Sequence, residues 1–523
     1  MVFTIELNKT IGLAELDRVV RDRIPVELAT GVRQRVQASR ETLDRLVAAG
    51  RVIYGVNTSM GGFVDHLVPI EHARQLQENL LGAVATNVGS YLDDDVVRAV
   101  MLARIISLAR GNSAISVANL EKLIDILNSG VVPCVPEKGS LGTSGDLGPL
   151  AAIALVGIGR WQARCDGKTV SGADALSMAG IEPMELGYKE GLALINGTSG
   201  MVGLGSLVHQ TASRVLRSYQ LISALSIEGL AGTAKPFDPR VHAMKPHPGQ
   251  RAVADVLWRA LADSALAVDE HDTDLALAAE MDQITTAGSR QIEDAYSIRC
   301  TPQILGPVVD SVEQVGRVLE AELNSSNDNP LVLPEEDEVF HNGHFHGQYV
   351  AMAMDHLVIA LTTMTNLSNR RVDRFLDKSN SNGLPAFLCA DDPGLRLGLM
   401  GGQFMTASIT AENRTLTVPV SVQSLTTTAD FQDIVSFGFV AARRAREVLT
   451  NCAYVLAFEL LCACQAVDIR GESGLSSRTR PIYDRVRDIV PFLDRDETIT
   501  PYVEAIAQAL LRGEYLAETE QVG

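Results

Sequence analysis

The chain has 523 residues, 46% of them hydrophobic and 21% charged, with 45 basic against 64 acidic side chains and a formal net charge of −19. That length and balance permit a large core, and the acidic surplus argues against a nucleic-acid partner, because phosphate binding needs a basic face. Aromatics are only 5% while Ala and Leu abound, which favours helices packed through small aliphatic side chains.

At the N-terminus no basic segment precedes an apolar core, so no signal peptide is expected. No uninterrupted apolar run is long enough to span a bilayer. Helical periodicity covers 69–88 and 94–110. It returns at 201–231, where apolar residues occupy far more than one stripe, as in a helix covered on several sides within a bundle. Val312, Val315, Leu319 and Leu323 recur at helical spacing and stop at the turn formers of 324–330. Segments 348–370, 435–468 and 500–513 read the same way. Strand signal is thin: a short pair around 162–169 and another around 331–340. The expected organisation is mainly α, with long helices that need cover, an N-terminal lobe over 1–200 and a helical bundle with a C-terminal helical region over 201–523.

The seven cysteines form no C-x-x-C pair, and several lie in apolar surroundings, as Cys462 and Cys464 do. Reduced buried thiols, and hence a cytoplasmic setting, are expected. His341, His344 and His346 cluster locally, but no acidic or Cys partner stands at ligand spacing, so no metal is expected.

Between the helices lie Gly-, Asn- and Ser-rich loops at 54–63, 139–149, 195–201, 324–330 and 377–385. Each alone reads as turn chemistry; together, between rigid helices, they are where function concentrates. The loop 139–149 is the most informative. Thr143, Ser144 and Gly145 sit between glycines and are followed by Asp146. Gly145 has no Cβ, so its nitrogen can fold back on the Thr143 carbonyl and close a five-membered ring. Loss of water from Ser144 would then leave a methylidene electrophile. A phosphate loop is the competing reading, but the Gly-Lys-Ser/Thr ending is missing.

Taken in order, 54–62, 139–149, 194–200, Tyr296 to Arg299 with Pro302 and Gln303, 324–330, 345–348 and Gln432-Asp433 resemble the ammonia-lyases and 2,3-aminomutases that act on aromatic amino acids through a 4-methylidene-imidazol-5-one (MIO) group. The match spans most of the chain. Thr143 stands where the family usually has Ala; it lends only its carbonyl to the ring, and Thr there is similar to certain bacterial phenylalanine aminomutases, those of enterocin-type biosynthesis above all.

The resemblance implies the roles. MIO forms autocatalytically from Thr143, Ser144 and Gly145, with no metal and no nucleotide. Tyr54 takes the β-proton; its phenol, with an ordinary pKa of about 10, needs nearby positive charge or helix N-termini to favour the phenolate. Arg299 offers a planar fork to the substrate carboxylate, and Tyr296, three residues earlier, shares its helix face. Asn196 hydrogen-bonds the ring oxygen or the carboxylate, Phe345 walls the electrophile, and Gln432 stands where histidine-specific relatives carry Glu. Gly61, Ala83, Val84, Glu293, Asn327 and Phe404 complete the expected substrate-binding set. Within a helix read over 76–89, Val84, beside Ala83, occupies the position that often carries His in tyrosine- or histidine-acting members. Neither can pair with a phenol hydroxyl or an imidazole, so phenylalanine is the expected substrate, giving (S)-β-phenylalanine, trans-cinnamate and ammonia. A plain phenylalanine ammonia-lyase and a tyrosine 2,3-aminomutase are the alternatives. A non-catalytic structural relative is the reading from another class, which loss of Ser144, Tyr54 or Arg299 would mark; all three are present. The resemblance also implies an elongated bundle of long helices assembled as a homotetramer with shared active sites, without the shielding insertion of plant relatives and with no nucleic-acid or membrane partner.

Overall fold

The computed structural model describes residues 2–142, 144–281 and 291–515. Helices dominate, and local chemistry accounts for their ends. Ser116 caps Val117–Ser129 by accepting from the Asn119 amide, and Gly130 closes that helix in the left-handed region, where a side chain would be strained. Asp94 and Asp95 lie in the first turn of Asp94–Ala109, opposite in sign to that end of the helix dipole. Leu147–Gly157 is buried from Gly148 onward, an apolar helix covered on every side.

The expected long helices are present as Ala73–Val84, Asp94–Ala109, Ser199–Gly229, Thr301–Leu323, Gln348–Leu376, Gly438–Arg470 and Thr500–Arg512. Ser199–Gly229 exposes only Arg217, as its all-round apolar sequence requires. Two of these helices, Gln348–Leu376 and Gly438–Arg470, are long and apolar enough to cross a membrane by length and composition. The sequence showed no such run, because isolated polar residues interrupt each. Their most apolar windows are 72% and 83% buried within the fold, so their composition reflects coverage by protein.

The strands are short. Phe3–Ile5 pairs in parallel with Val26–Leu28, and Val88–Tyr91 pairs antiparallel with Pro136–Lys138. The expected hairpins are Gln162–Cys165 with Lys168–Ser171, and Leu331–Leu333 with Glu338–Phe340.

The chain divides into two compact units, which differs from a single cut at 200. The first comprises 1–210, 315–355 and 419–445, and the second 211–314, 356–418 and 446–523. Four of the long helices contribute residues to both, so a linear boundary cannot separate them. The second unit has a polar centre: Arg371 and Glu459 are fully buried and paired at 3.1 Å.

Candidate active site

The site of the first unit is built where two loops meet. The loop with Ser144 leads into the helix Leu147–Gly157, and the loop with Asn196 leads into Ser199–Gly229. Gly145 and Gly197 form a parallel bridge. The Gly197 amide donates to the Ser144 carbonyl at 3.1 Å, and the Asp146 amide donates to the Gly197 carbonyl at 2.8 Å. Two helix N-termini therefore begin within a few residues of Ser144, an arrangement that favours negative charge there.

Asp146 stitches the junction. Fully buried, it accepts from the Ser140 hydroxyl at 2.7 Å and the Met201 amide at 2.6 Å. Burial pushes its carboxyl up to about 7, against the pull of those donors and the Gly200 amide. On the other side, the Gly142 carbonyl accepts from Ser436 Oγ at 2.7 Å and from the Gly347 amide at 3.3 Å. Thr143 lies outside the described residues, so its expected role is not placed.

Ser144 opens into a cavity of about 820 Å³. Tyr54, Gly61, Ala83, Val84, Asn196, Phe345 and Gln432, all expected at the site, line it together with Ser144. Gln432 Nε2 donates to Ser144 Oγ at 2.9 Å. It is delivered by a tight turn in which Thr428, Ala429 and Asp430 have φ of 59°, 52° and 64°, three consecutive side-chain-bearing residues in the left-handed region. That turn packs on the Gly61-Gly62 pair: a Cβ on Gly61 would stand 2.9 Å from Thr428 Cγ2, and one on Gly62 3.2 Å from the Thr428 carbonyl oxygen.

Tyr54 is half-buried, its ring stacked on Phe431 at 6.3 Å between centroids. Its hydroxyl accepts from the Gly61 amide at 3.1 Å, and its own amide donates to His341 Nε2 at the same distance. Burial pushes the phenol above its ordinary value, and the Gly61 amide pulls the other way. Among the described residues the Gly61 amide is the contribution that favours the phenolate.

Asn196 donates through Nδ2 to Asp328 Oδ1 at 2.8 Å and to the Asn329 carbonyl at 3.1 Å. Asp328 in turn receives Lys189 Nζ at 2.6 Å, and neither side chain is exposed. Asn327, expected to bind substrate, is instead buried behind the Gly197 loop. Its Oδ1 accepts from Arg104 and Ser107 and its Nδ2 donates to Thr198 Oγ1, so it supports the wall rather than lining the cavity. Burial lowers Arg104 to about 10, with Asp328 opposing.

Ala83 and Val84 close the helix Ala73–Val84. The helix read over 76–89 is therefore shorter, because Val88–Tyr91 is drawn into pairing with Pro136–Lys138. Leu80, Met60, Val64 and Leu192 extend the apolar floor. None of these was singled out by sequence as a site residue, nor were Phe431, Asn342 and Thr428, and His341 was weighed only as part of a metal cluster. Adjacency to Tyr54, Phe345 and Gln432 was the only signal for several of them. Gln77 was also missed. Buried, it donates to the Gly55 carbonyl at 3.0 Å and accepts from the Leu192 amide at 2.9 Å, tying the Tyr54 loop to the helix Glu190–Ile195.

Tyr296, Arg299, Glu293 and Phe404 belong to the second unit and are not among the residues lining this cavity. Phe404 is exposed on the helix Met400–Thr415. Arg299 closes the four-residue helix Tyr296–Arg299, its guanidinium 5.0 Å from the Tyr296 ring centroid. Its Nε donates to the Asp294 carbonyl at 2.9 Å, and Nη2 meets Glu293 Oε2 at 2.8 Å. A carboxylate thus already sits on the fork, showing that its outer edge can hold one.

The model of the aromatic amino acid lyases matches residues 11–488. The chain belongs to that family. The Pantoea agglomerans phenylalanine aminomutase structure superposes on this aromatic lyase with a TM-score of 0.96 at 64% identity, covering 97% of this chain and 99% of that one. The tyrosine ammonia-lyase of Cupriavidus metallidurans is 44% identical over 92% of this chain and 90% of its own length. The MIO-dependent tyrosine 2,3-aminomutase of Streptomyces globisporus is 40% identical over 97% of this chain and 95% of its own length. This family member is accordingly an enzyme of the ammonia-lyase and aminomutase type, with the mainly α-helical fold of its relatives.

Proposed function

We propose that the enzyme is a phenylalanine 2,3-aminomutase that also releases trans-cinnamate and ammonia, converting L-phenylalanine to (S)-β-phenylalanine. The observation that carries this is the apolar floor of Ala83, Val84, Leu80 and Leu192 in the cavity that holds Ser144 and Tyr54. A phenol hydroxyl buried there without a partner would cost about 1–3 kcal/mol. The 64% identity to a phenylalanine aminomutase supports the same reading.

The junction suits an MIO group made from Thr143, Ser144 and Gly145. Gly145 has a φ of 71° and no room for a Cβ, and Ser144 faces the cavity. When formed, the group supplies an electrophile that makes the substrate amine a better leaving group. The chain's own residues do the rest. Tyr54 Oη, as the phenolate that the Gly61 amide stabilises, takes the β-proton and becomes the neutral phenol. Arg299 holds the carboxylate through its fork in place of Glu293. Phe345 and Phe431 exclude water, and an arylacrylate kept in an apolar cavity stays available for re-addition of ammonia at Cβ. In this reading the enzyme works in the cytoplasm as a homotetramer whose subunits share active sites, which brings Arg299 and Tyr296 to the cavity.

Thr428 and Asn342 also line the cavity and offer polar groups to a phenol, which is the observation favouring a tyrosine-acting enzyme. Chiral chromatography of products from L-phenylalanine and L-tyrosine decides. β-Phenylalanine with cinnamate is expected, cinnamate alone would make the enzyme a lyase, and faster turnover of tyrosine would overturn the substrate. Intact mass tests the group: cyclisation should remove about 36 Da as two waters, and Ser144→Ala should retain its full sequence mass.

A further inference from the structure

The helix Tyr296–Arg299 is only four residues long, too short to hold itself in place. What fixes it is a buried side chain remote in sequence. Arg371 donates through Nε to the Ser297 carbonyl at 2.8 Å and through Nη2 to Thr301 Oγ1 at 2.7 Å. The two acceptors lie on either side of Arg299, so one planar guanidinium spans the turn that carries it. Thr301 Oγ1 passes the hold on, donating to the Ile298 carbonyl at 2.6 Å. The fork is aimed from behind: Arg371 Nη1 donates to Ser223 Oγ at 2.7 Å and Glu459 Oε1 at 3.1 Å. Glu459 is itself pinned by Tyr219 Oη at 2.8 Å and Ser226 Oγ at 2.7 Å. Arg371, Glu459 and Thr301 are fully buried.

A buried ion pair is weak evidence for stability, since apolar replacements of equal volume often serve as well. This pair does something an apolar pair could not, because two of its hydrogen bonds end on the turn of Arg299. We infer that Arg371, aimed by Glu459, is a positioning residue that sets the direction of the Arg299 fork. This rests on the reading that Arg299 binds the substrate carboxylate.

The test measures inhibition of the full enzyme by trans-cinnamate and by cinnamyl alcohol, which share the aryl-alkene and differ in the carboxylate. Thr301→Val keeps the shape and removes one of the acceptors; Arg371→Lys keeps the charge and loses the span. Both should weaken cinnamate roughly 3- to 10-fold, the worth of one hydrogen bond, and leave cinnamyl alcohol unchanged. KM for phenylalanine should rise in step. A purely structural role predicts equal weakening of both inhibitors, or of neither with only a lower Tm, and either result overturns the inference. Should Arg371→Lys fail to fold, Thr301→Val decides alone. Arg299→Lys runs in parallel. If it keeps the preference for cinnamate, the carboxylate reading falls and takes this one with it. If it abolishes the preference while Thr301→Val retains it, the positioning role alone is wrong.

Discussion

Gly145 and Gly197 meet backbone to backbone: a Cβ on Gly145 would stand 1.7 Å from the Gly197 carbonyl oxygen. Gly197, with a φ of 139°, is as confined, since its Cβ would lie 2.3 Å from Asn327 Oδ1. The junction that presents Ser144 therefore exists only with glycine at both positions. Gly197→Ala should force the loops apart, lower Tm and remove the near-ultraviolet absorbance expected of the cyclised group. Gly343→Ala, with nothing within 4 Å of the added carbon, is the control. Unchanged absorbance in Gly197→Ala would mean the junction is not needed for cyclisation.

Tyr54 is raised by burial, so its phenolate becomes more populated as pH climbs. If it is the base, kcat/KM should increase with pH through the alkaline range. Tyr54→Phe should bind substrate and fail to exchange its β-hydrogen with deuterated solvent. Exchange at the parental rate in that variant would require another base.

Asp146 has a folded-state pKa of about 7 against an ordinary 3.8. A raised pKa contributes stability that is complete below the unfolded value and lost as pH rises through the folded one. Asp146→Asn cannot ionise and carries no such slope. The wild-type Tm minus the variant Tm should therefore fall between about pH 4 and pH 8. A constant difference would show that Asp146 stays ionised throughout.

Lys189 and Asp328 are fully buried partners, and Asp328 also orients Asn196. Asp328→Ala should cost about 3–5 kcal/mol in denaturant unfolding, because it strands a buried cation. Adding Lys189→Met should recover much of that loss without restoring activity. No recovery would locate the cost elsewhere than in the stranded charge.

Val84 ends its helix on the cavity floor. Val84→His would offer a phenol a partner, and sites that hydrogen-bond a substrate group discriminate far more strongly than apolar ones. The ratio of kcat/KM for tyrosine over phenylalanine should rise at least tenfold, by about 1.4 kcal/mol. An unchanged ratio would place the para position away from Val84.

Sequence by itself determined the helical class, because periodicity and small aliphatic side chains are local signals, and it placed the helices Asp94–Ala109, Ser199–Gly229 and Gly438–Arg470 within a few residues. It also picked out Tyr54, Ser144, Asn196 and Phe345, each inside a run of glycine and turn formers, and Gln432 through the family resemblance alone. Helix ends were less legible: the segment after Val84 is decided by a strand partner near position 137, which no local pattern contains. The division into units was invisible for the same reason, since 315–355 and 419–445 join the first unit only through packing. Asn327 could be recognised as part of a motif but not as a wall support, because its neighbours Arg104, inside Asp94–Ala109, and Thr198, just before Ser199–Gly229, are distant in sequence. Arg371 and Gln77 carried no signal at all. A buried polar side chain is defined by the partners that compensate its lost water, and only the tertiary structure supplies them.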